Sequence, residues 1–195
     1  MTVAKGRVPV SVSAPFVGMA ALWLACGPLW RMGTALGFAA LHEAGHLLAM
    51  AAFGARPTKI HLTMGGMRIE RPPALRLSFA REIAVAFAGP AASLLLAGLC
   101  ALINLPFPSP LLPELAILNL GFALFNLLPV RRLDGGRALY FLLCGCLPER
   151  SAHRLVLASS LLSLFLAAAA AAYACLRQGL SLPLLVAVAY LAACC

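Results

Sequence analysis

Apolar runs of roughly bilayer-spanning length, separated by short basic segments, fill most of this chain, and they dictate a membrane fold. A crossing helix takes about 20 apolar residues. Six stretches read as spans: about 14–30, 33–53, 82–105, 111–147 with a break, 154–176 and 180–195. The last is short, which fits a tilted or partly inserted helix. The fourth is too long for one crossing. Pro129-Val130-Arg131-Arg132 interrupts it and Asp134-Gly135-Gly136 follows. Irregular backbone at membrane depth survives only where it is buried in protein or lines a cavity. The chain is 63% hydrophobic, against roughly 45–50% for a soluble domain. A soluble fold is thereby excluded, and residues 1–195 are expected to form a single all-α transmembrane domain.

Charge sets the expected orientation. The formal net charge is +9, which on a soluble chain would point to nucleic acid. Here topology accounts for it. With a cytoplasmic N-terminus, the inner segments carry Lys5, Arg7, Arg56, Lys59, Arg68, Arg71, Arg76, Arg81, Arg150 and Arg154, while the outer ones carry only Arg31 and Arg177. That asymmetry is the positive-inside signal. A multi-pass cell-membrane protein with its N-terminus inside is expected, with no nucleic-acid partner. Lys5 and Arg7 before an apolar run resemble a signal peptide, and Leu24-Ala25-Cys26-Gly27 faintly resembles a lipoprotein cleavage site. Trp23 does not suit such a site, so a retained first span is expected.

The seven cysteines (Cys26, Cys100, Cys144, Cys146, Cys175, Cys194 and Cys195) mostly sit in apolar segments. Their number is odd and no CxxC pair exists, so neither a disulfide framework nor a cysteine metal site is expected. Between the second and third spans, Ile60, Leu62 and Met64 alternate with Lys59, His61 and Thr63; Gly65-Gly66 and then Met67-Arg68-Ile69-Glu70 follow. Two alternating runs around Gly-Gly predict a small membrane-associated β-hairpin at about 58–71.

The chemistry lies in His42-Glu43-Ala44-Gly45-His46, inside the second apolar stretch. Imidazoles at i and i+4 share one helix face and can reach one Zn²⁺, and the Glu beside them is placed to work on a metal-bound water. Ionisable groups in a span are costly, and function is their default reading. His46 would lie roughly 10 Å below the cytoplasmic boundary, at 1.5 Å of rise per residue. Zinc catalysis uses three protein ligands and one open position. Asp134 is the chain's one Asp and sits at the break in the fourth stretch. It reads as the third ligand, against an alternative as helix N-cap. His61 and His153 fall in expected loops. Glu43 is the candidate general base. Asn126, in Asn126-Leu127-Leu128-Pro129, is placed either to donate to an oxyanion or to hydrogen-bond between helices; spacing alone favours the second. Gly89-Pro90-Ala91-Ala92-Ser93 places Gly and Ser four apart, a pattern for close helix packing.

Taken together, His42-Glu43-Ala44-Gly45-His46, Ala88-Gly89-Pro90-Ala91-Ala92-Ser93 and Asn126-Leu127-Leu128-Pro129 leading to Leu133-Asp134-Gly135-Gly136 resemble the site-2 protease family of intramembrane zinc metalloproteases. The resemblance covers about residues 35–145. It implies a three-helix catalytic core with Asp134 as third ligand and Asn126 near the substrate. Span count and size look most like the branch containing stage IV sporulation protein FB, which cleaves a membrane-associated pro-sigma factor. The regulatory CBS module of some relatives and a PDZ insertion are both expected to be absent.

The expected activity is therefore a zinc endopeptidase, using one Zn²⁺, that cuts a membrane-embedded or juxtamembrane segment near the cytoplasmic face. Its expected partners are a membrane-protein substrate such as a pro-sigma or signalling factor, the lipid bilayer and a regulatory membrane protein. A metal transporter using the same ligands would need polar residues through the outer half, where few occur. A catalytically silent binding protein would have no use for Glu43.

Overall fold

The computed structural model describes residues 10–12, 29–55, 58–63, 66–70, 77–179 and 182–195. Strand β1 is Val10–Val12 and helix α1 is Leu29–Ala52. Strands β2 (Lys59–Thr63) and β3 (Gly66–Glu70) come next. Helices α2 (Phe79–Asn104), α3 (Leu111–Asn126), α4 (Asp134–Cys144), α5 (Glu149–Gln178) and α6 (Leu182–Cys194) complete the chain. The expected first span, about 14–30, lies outside the described residues except for its last two. Those two already belong to α1, which starts at Leu29 rather than near 33. Gly27-Pro28 precedes that start in the sequence, and Pro is favoured at the beginning of a helix.

Helix α2 is the hub, packing against α1, α3 and α4, while α4 also meets α5, and α5 meets α6. Small residues allow this closeness. A Cβ on Gly45 would stand 2.6 Å from the Ala88 carbonyl oxygen, so α1 rests on the backbone of α2. Such small-residue contacts are how helices associate in lipid. The pattern of burial is inverted relative to a soluble protein. His42, His46, Glu82, Ser93, Asn119, Asp134 and Ser160 are buried, while Leu95, Ile117, Phe165 and Leu176 face outward. An outward apolar surface of this extent is at rest only in lipid or against a partner. Among the described residues, two helices are long and apolar enough to cross a membrane: α2, with mean hydropathy 2.0, and α5, with 2.2 over Glu149–Arg177.

The long fourth stretch is broken where the prolines and glycines stand. Helix α3 ends at Asn126, and α4 begins at Asp134. The turn between them folds on itself through Val130 N–H to the Leu128 carbonyl (2.7 Å) and Leu133 N–H to the Val130 carbonyl (2.8 Å). Helix α4 starts directly on this turn. A Cβ on Gly135 would collide with the Leu127 carbonyl and one on Gly136 with the Val130 carbonyl, so the Gly-Gly pair is a steric requirement. The helix α5 starts at Glu149, earlier than the sequence reading placed its span. His153 therefore lies in a helix and not in a loop.

Strands β2 and β3 pair antiparallel, with Thr63 opposite Gly66 and Lys59 opposite Glu70. The connecting residues 64–65 lie outside the described residues. Strand β1, which the sequence did not announce, pairs parallel to β2 with Val10 opposite Ile60. The sheet order is β1-β2-β3. Strand β2 is thus central, and β3 is the hairpin's edge.

Candidate metal centre

Three side chains from two distant segments converge on one point. His42 and His46 stand a turn apart on α1, and both are buried. Asp134 is the first residue of α4, and the N-cap position belongs to Leu133. The helix-cap alternative for Asp134 therefore fails: its carboxylate turns toward the histidines. His42 Nε2 lies 3.0 Å from Asp134 Oδ2, His46 Nε2 lies 3.2 Å from the same oxygen, and the two Nε2 atoms are 3.3 Å apart. A tetrahedral ion with bonds of about 2.0–2.1 Å spaces its ligand atoms about 3.3–3.4 Å apart. The observed triangle is close to one face of that tetrahedron. The same three residues are the group of metal-ligating side chains found among the described residues.

The outer nitrogens fix which lone pairs face that point. His46 Nδ1 lies 2.7 Å from the Val85 carbonyl oxygen. A carbonyl only accepts, so Nδ1 carries the proton, and in the neutral ring Nε2 is left as a ligand. His42 Nδ1 lies 3.0 Å from Ser93 Oγ, and Ser93 is fully buried. Both partners come from α2, which explains why that helix approaches so closely. A Cβ on Gly89 would sit 2.6 Å from His42 Nε2 and closer still to His46 Nε2. Only glycine leaves room there for the ligand atoms. The 89–93 motif is therefore more than a packing device: Gly89 makes space for both Nε2 atoms and Ser93 orients His42. A sequence signal existed, since Val85, Gly89 and Ser93 share one face of α2 at four-residue spacing, with the hydroxyl one turn from the glycine.

Around the triangle, Phe122 of α3 places its ring 4.9 Å from that of His42, edge to face. Arg137 Nη1 stands 3.9 Å from Asp134 Oδ1, the oxygen turned away from the histidines. Glu43 is half-buried next to His42. Asn126 is also half-buried, but its amide donates to the Phe122 carbonyl in its own helix at 2.9 Å. It thus bonds within α3, rather than between helices. His61 is in β2, and His153 is exposed on α5. The described cysteines, Cys100, Cys144, Cys146, Cys175, Cys194 and Cys195, are free thiols.

No protein-family model matches the chain. In an alignment that covers 75% of its length, it is 31% identical to stage IV sporulation protein FB of Bacillus subtilis (strain 168). It spans about half, 52%, of that curated relative. Its fold is that of the site-2 protease from Methanocaldococcus jannaschii, with a TM-score of 0.69 at 20% identity, over 97% of this chain and 90% of that one.

Proposed function

We propose, from a fold shared with a site-2 protease and a ligand triangle of zinc dimensions, that this chain is an intramembrane zinc endopeptidase. The observation that carries the reading is the convergence of His42 Nε2, His46 Nε2 and Asp134 Oδ2 within 3.3 Å of one another, with Glu43 adjacent in the sequence. Two imidazoles and one carboxylate are a catalytic zinc set that keeps a position open. A bound zinc ion supplies Lewis acidity, which makes water a nucleophile near neutral pH and polarises a peptide carbonyl. Glu43 takes the proton from the attacking water and returns it to the leaving amine nitrogen as the C–N bond breaks. The Val85 carbonyl holds His46 in the ligating tautomer, and Ser93 orients the His42 ring. Asn126, one turn along α3 from the Phe122 ring, is the candidate to hold the substrate strand.

The protein crosses the membrane six times with its N-terminus in the cytoplasm, as the charge asymmetry supports, and the cut falls near the cytoplasmic face. The substrate is a membrane-embedded or juxtamembrane protein segment, with a pro-sigma or signalling factor as the candidate class and a further membrane protein as regulator. A helical peptide bond must be unwound before attack, and an exposed strand edge holds such a segment by main-chain hydrogen bonds. Strand β3 is the edge suited to it, because β2 is covered by β1. The test is cleavage of a single-span substrate by purified protein in detergent. Activity is lost to a zinc chelator and returns with added zinc. Chelator-insensitive cleavage, or none after zinc is restored, contradicts the reading.

A further inference from the structure

The turn between α3 and α4 is irregular backbone between apolar helices, and lipid offers its polar groups no partner. Two of those groups are satisfied from α5. Ser159 Oγ donates to the Pro129 carbonyl at 2.8 Å. Ser160 Oγ accepts from the Arg131 N–H at 2.9 Å, and its own proton goes to the Val156 carbonyl at 2.7 Å. Ser160 is fully buried, and its hydroxyl is used on both sides. Serines in membrane helices often bond back to their own helix, and Ser159 Oγ is also 2.9 Å from the Val156 carbonyl. The bonds to the turn reach 29 and 30 residues back along the chain and are tertiary.

The held turn leads straight to the ligand. Leu133 N–H bonds to the Val130 carbonyl, and Arg137 N–H to the Leu133 carbonyl at 3.0 Å. Gly136 rests against that same Val130 carbonyl. Asp134 sits between these contacts, so little backbone freedom remains between the Ser160 hydroxyl and the Asp134 carboxylate. We infer that Ser159 and Ser160 are positioning residues for the metal centre: α5 grips the turn that holds Asp134 at ligating distance from His42 and His46. This rests on the zinc reading above and adds an α5 role to it.

Cobalt(II) occupies tetrahedral zinc sites, and its visible absorption reports the coordination geometry, so it reads positioning apart from stability. The unaltered 195-residue protein is compared with the Ser159→Ala, Ser160→Ala, Ser159→Ala/Ser160→Ala and Ser159→Thr variants. Affinities for cobalt and zinc are measured by chelator competition, and thermal unfolding is followed on the metal-free proteins. Partners of metal ligands are worth about 10–100-fold in affinity. The serines act one link further out, so Ser160→Ala should lose about tenfold and the double variant more. The cobalt band should weaken or shift in both, and Ser159→Thr, which keeps the hydroxyl, should behave as wild type. Wild-type affinity and spectrum in the double variant, with only a lowered unfolding temperature, overturn the positioning role. Wild-type protein that takes up no cobalt or zinc overturns the zinc reading and this role with it. Should Ser160→Ala fail to fold, Ser159→Ala against Ser159→Thr carries the same test.

Discussion

Helix α1 and the 127–136 turn each deliver side chains to the proposed zinc site, but by opposite means. On α1 helical periodicity brings the two histidines to one side, since residues four apart share a face. At the turn, Asp134 is placed by features scattered over the chain: glycines that seat α4 on carbonyls of the turn, and serines of α5 that bond it from outside. Gly37 of α1 and Gly136 at the start of α4 show the same contrast. A Cβ at Gly37 meets nothing within 4 Å, whereas one at Gly136 strikes backbone. A regular helix tolerates change away from its functional face, and the turn has little slack.

That difference predicts where damage is greatest. Asp134→Ala leaves a two-histidine site, and metal analysis together with a cleavage assay should find zinc and activity both below detection. Zinc retained at one per chain in that variant would mean that the turn is not a ligand arm. Next comes Gly89→Ala, in which a methyl group enters the space of both Nε2 atoms; loss of zinc from a protein that still folds is the expected result. Ser93→Ala should be milder, with zinc affinity about 10–100-fold lower by chelator competition.

The glycine pair turns the comparison into one of stability. Gly136→Ala should destabilise by about 1–3 kcal/mol through overpacking. Gly37→Ala should stabilise α1 by about 0.5–1 kcal/mol. Equal effects of the two in denaturant unfolding would erase the distinction between helix and turn. The smallest effect concerns the sheet edge. In a hairpin with a two-residue connection, the pair flanking it exchanges hydrogen bonds and the pairs then alternate. Thr63–Gly66 is that flanking pair, so Met67 and Ile69 direct their N–H groups away from β2. Ile69→Pro should slow cleavage several-fold with zinc content intact, whereas Ile60→Pro, in the central strand, should disrupt the sheet. Unaltered cleavage in Ile69→Pro would remove the edge from the account.

What could be read in advance follows the same division. The histidine pair, the position of the break and the alternating runs around Gly-Gly are local patterns, and each was legible. Ser93 was legible only as a packing residue, because its bond to His42 spans 51 positions of sequence. Strand β1 is three residues long and pairs with residues about fifty positions on. Nothing near Val10 announces that partner, so the sequence alone does not say which hairpin strand keeps a free edge. Ser159 and Ser160 look like ordinary span serines until the turn is seen against them. Side chains that serve their own helix are visible in its periodicity; those that serve another segment are not.

The account stands most directly on Glu43→Gln. The substitution keeps the size of the side chain and both histidines while removing the base. Purified wild-type and variant protein are assayed for zinc by elemental analysis and for cleavage of a single-span substrate under the same conditions. The account predicts about one zinc per chain in both and cleavage lowered by about 10²–10⁴-fold in the variant. Full cleavage by a zinc-loaded Glu43→Gln protein would contradict it.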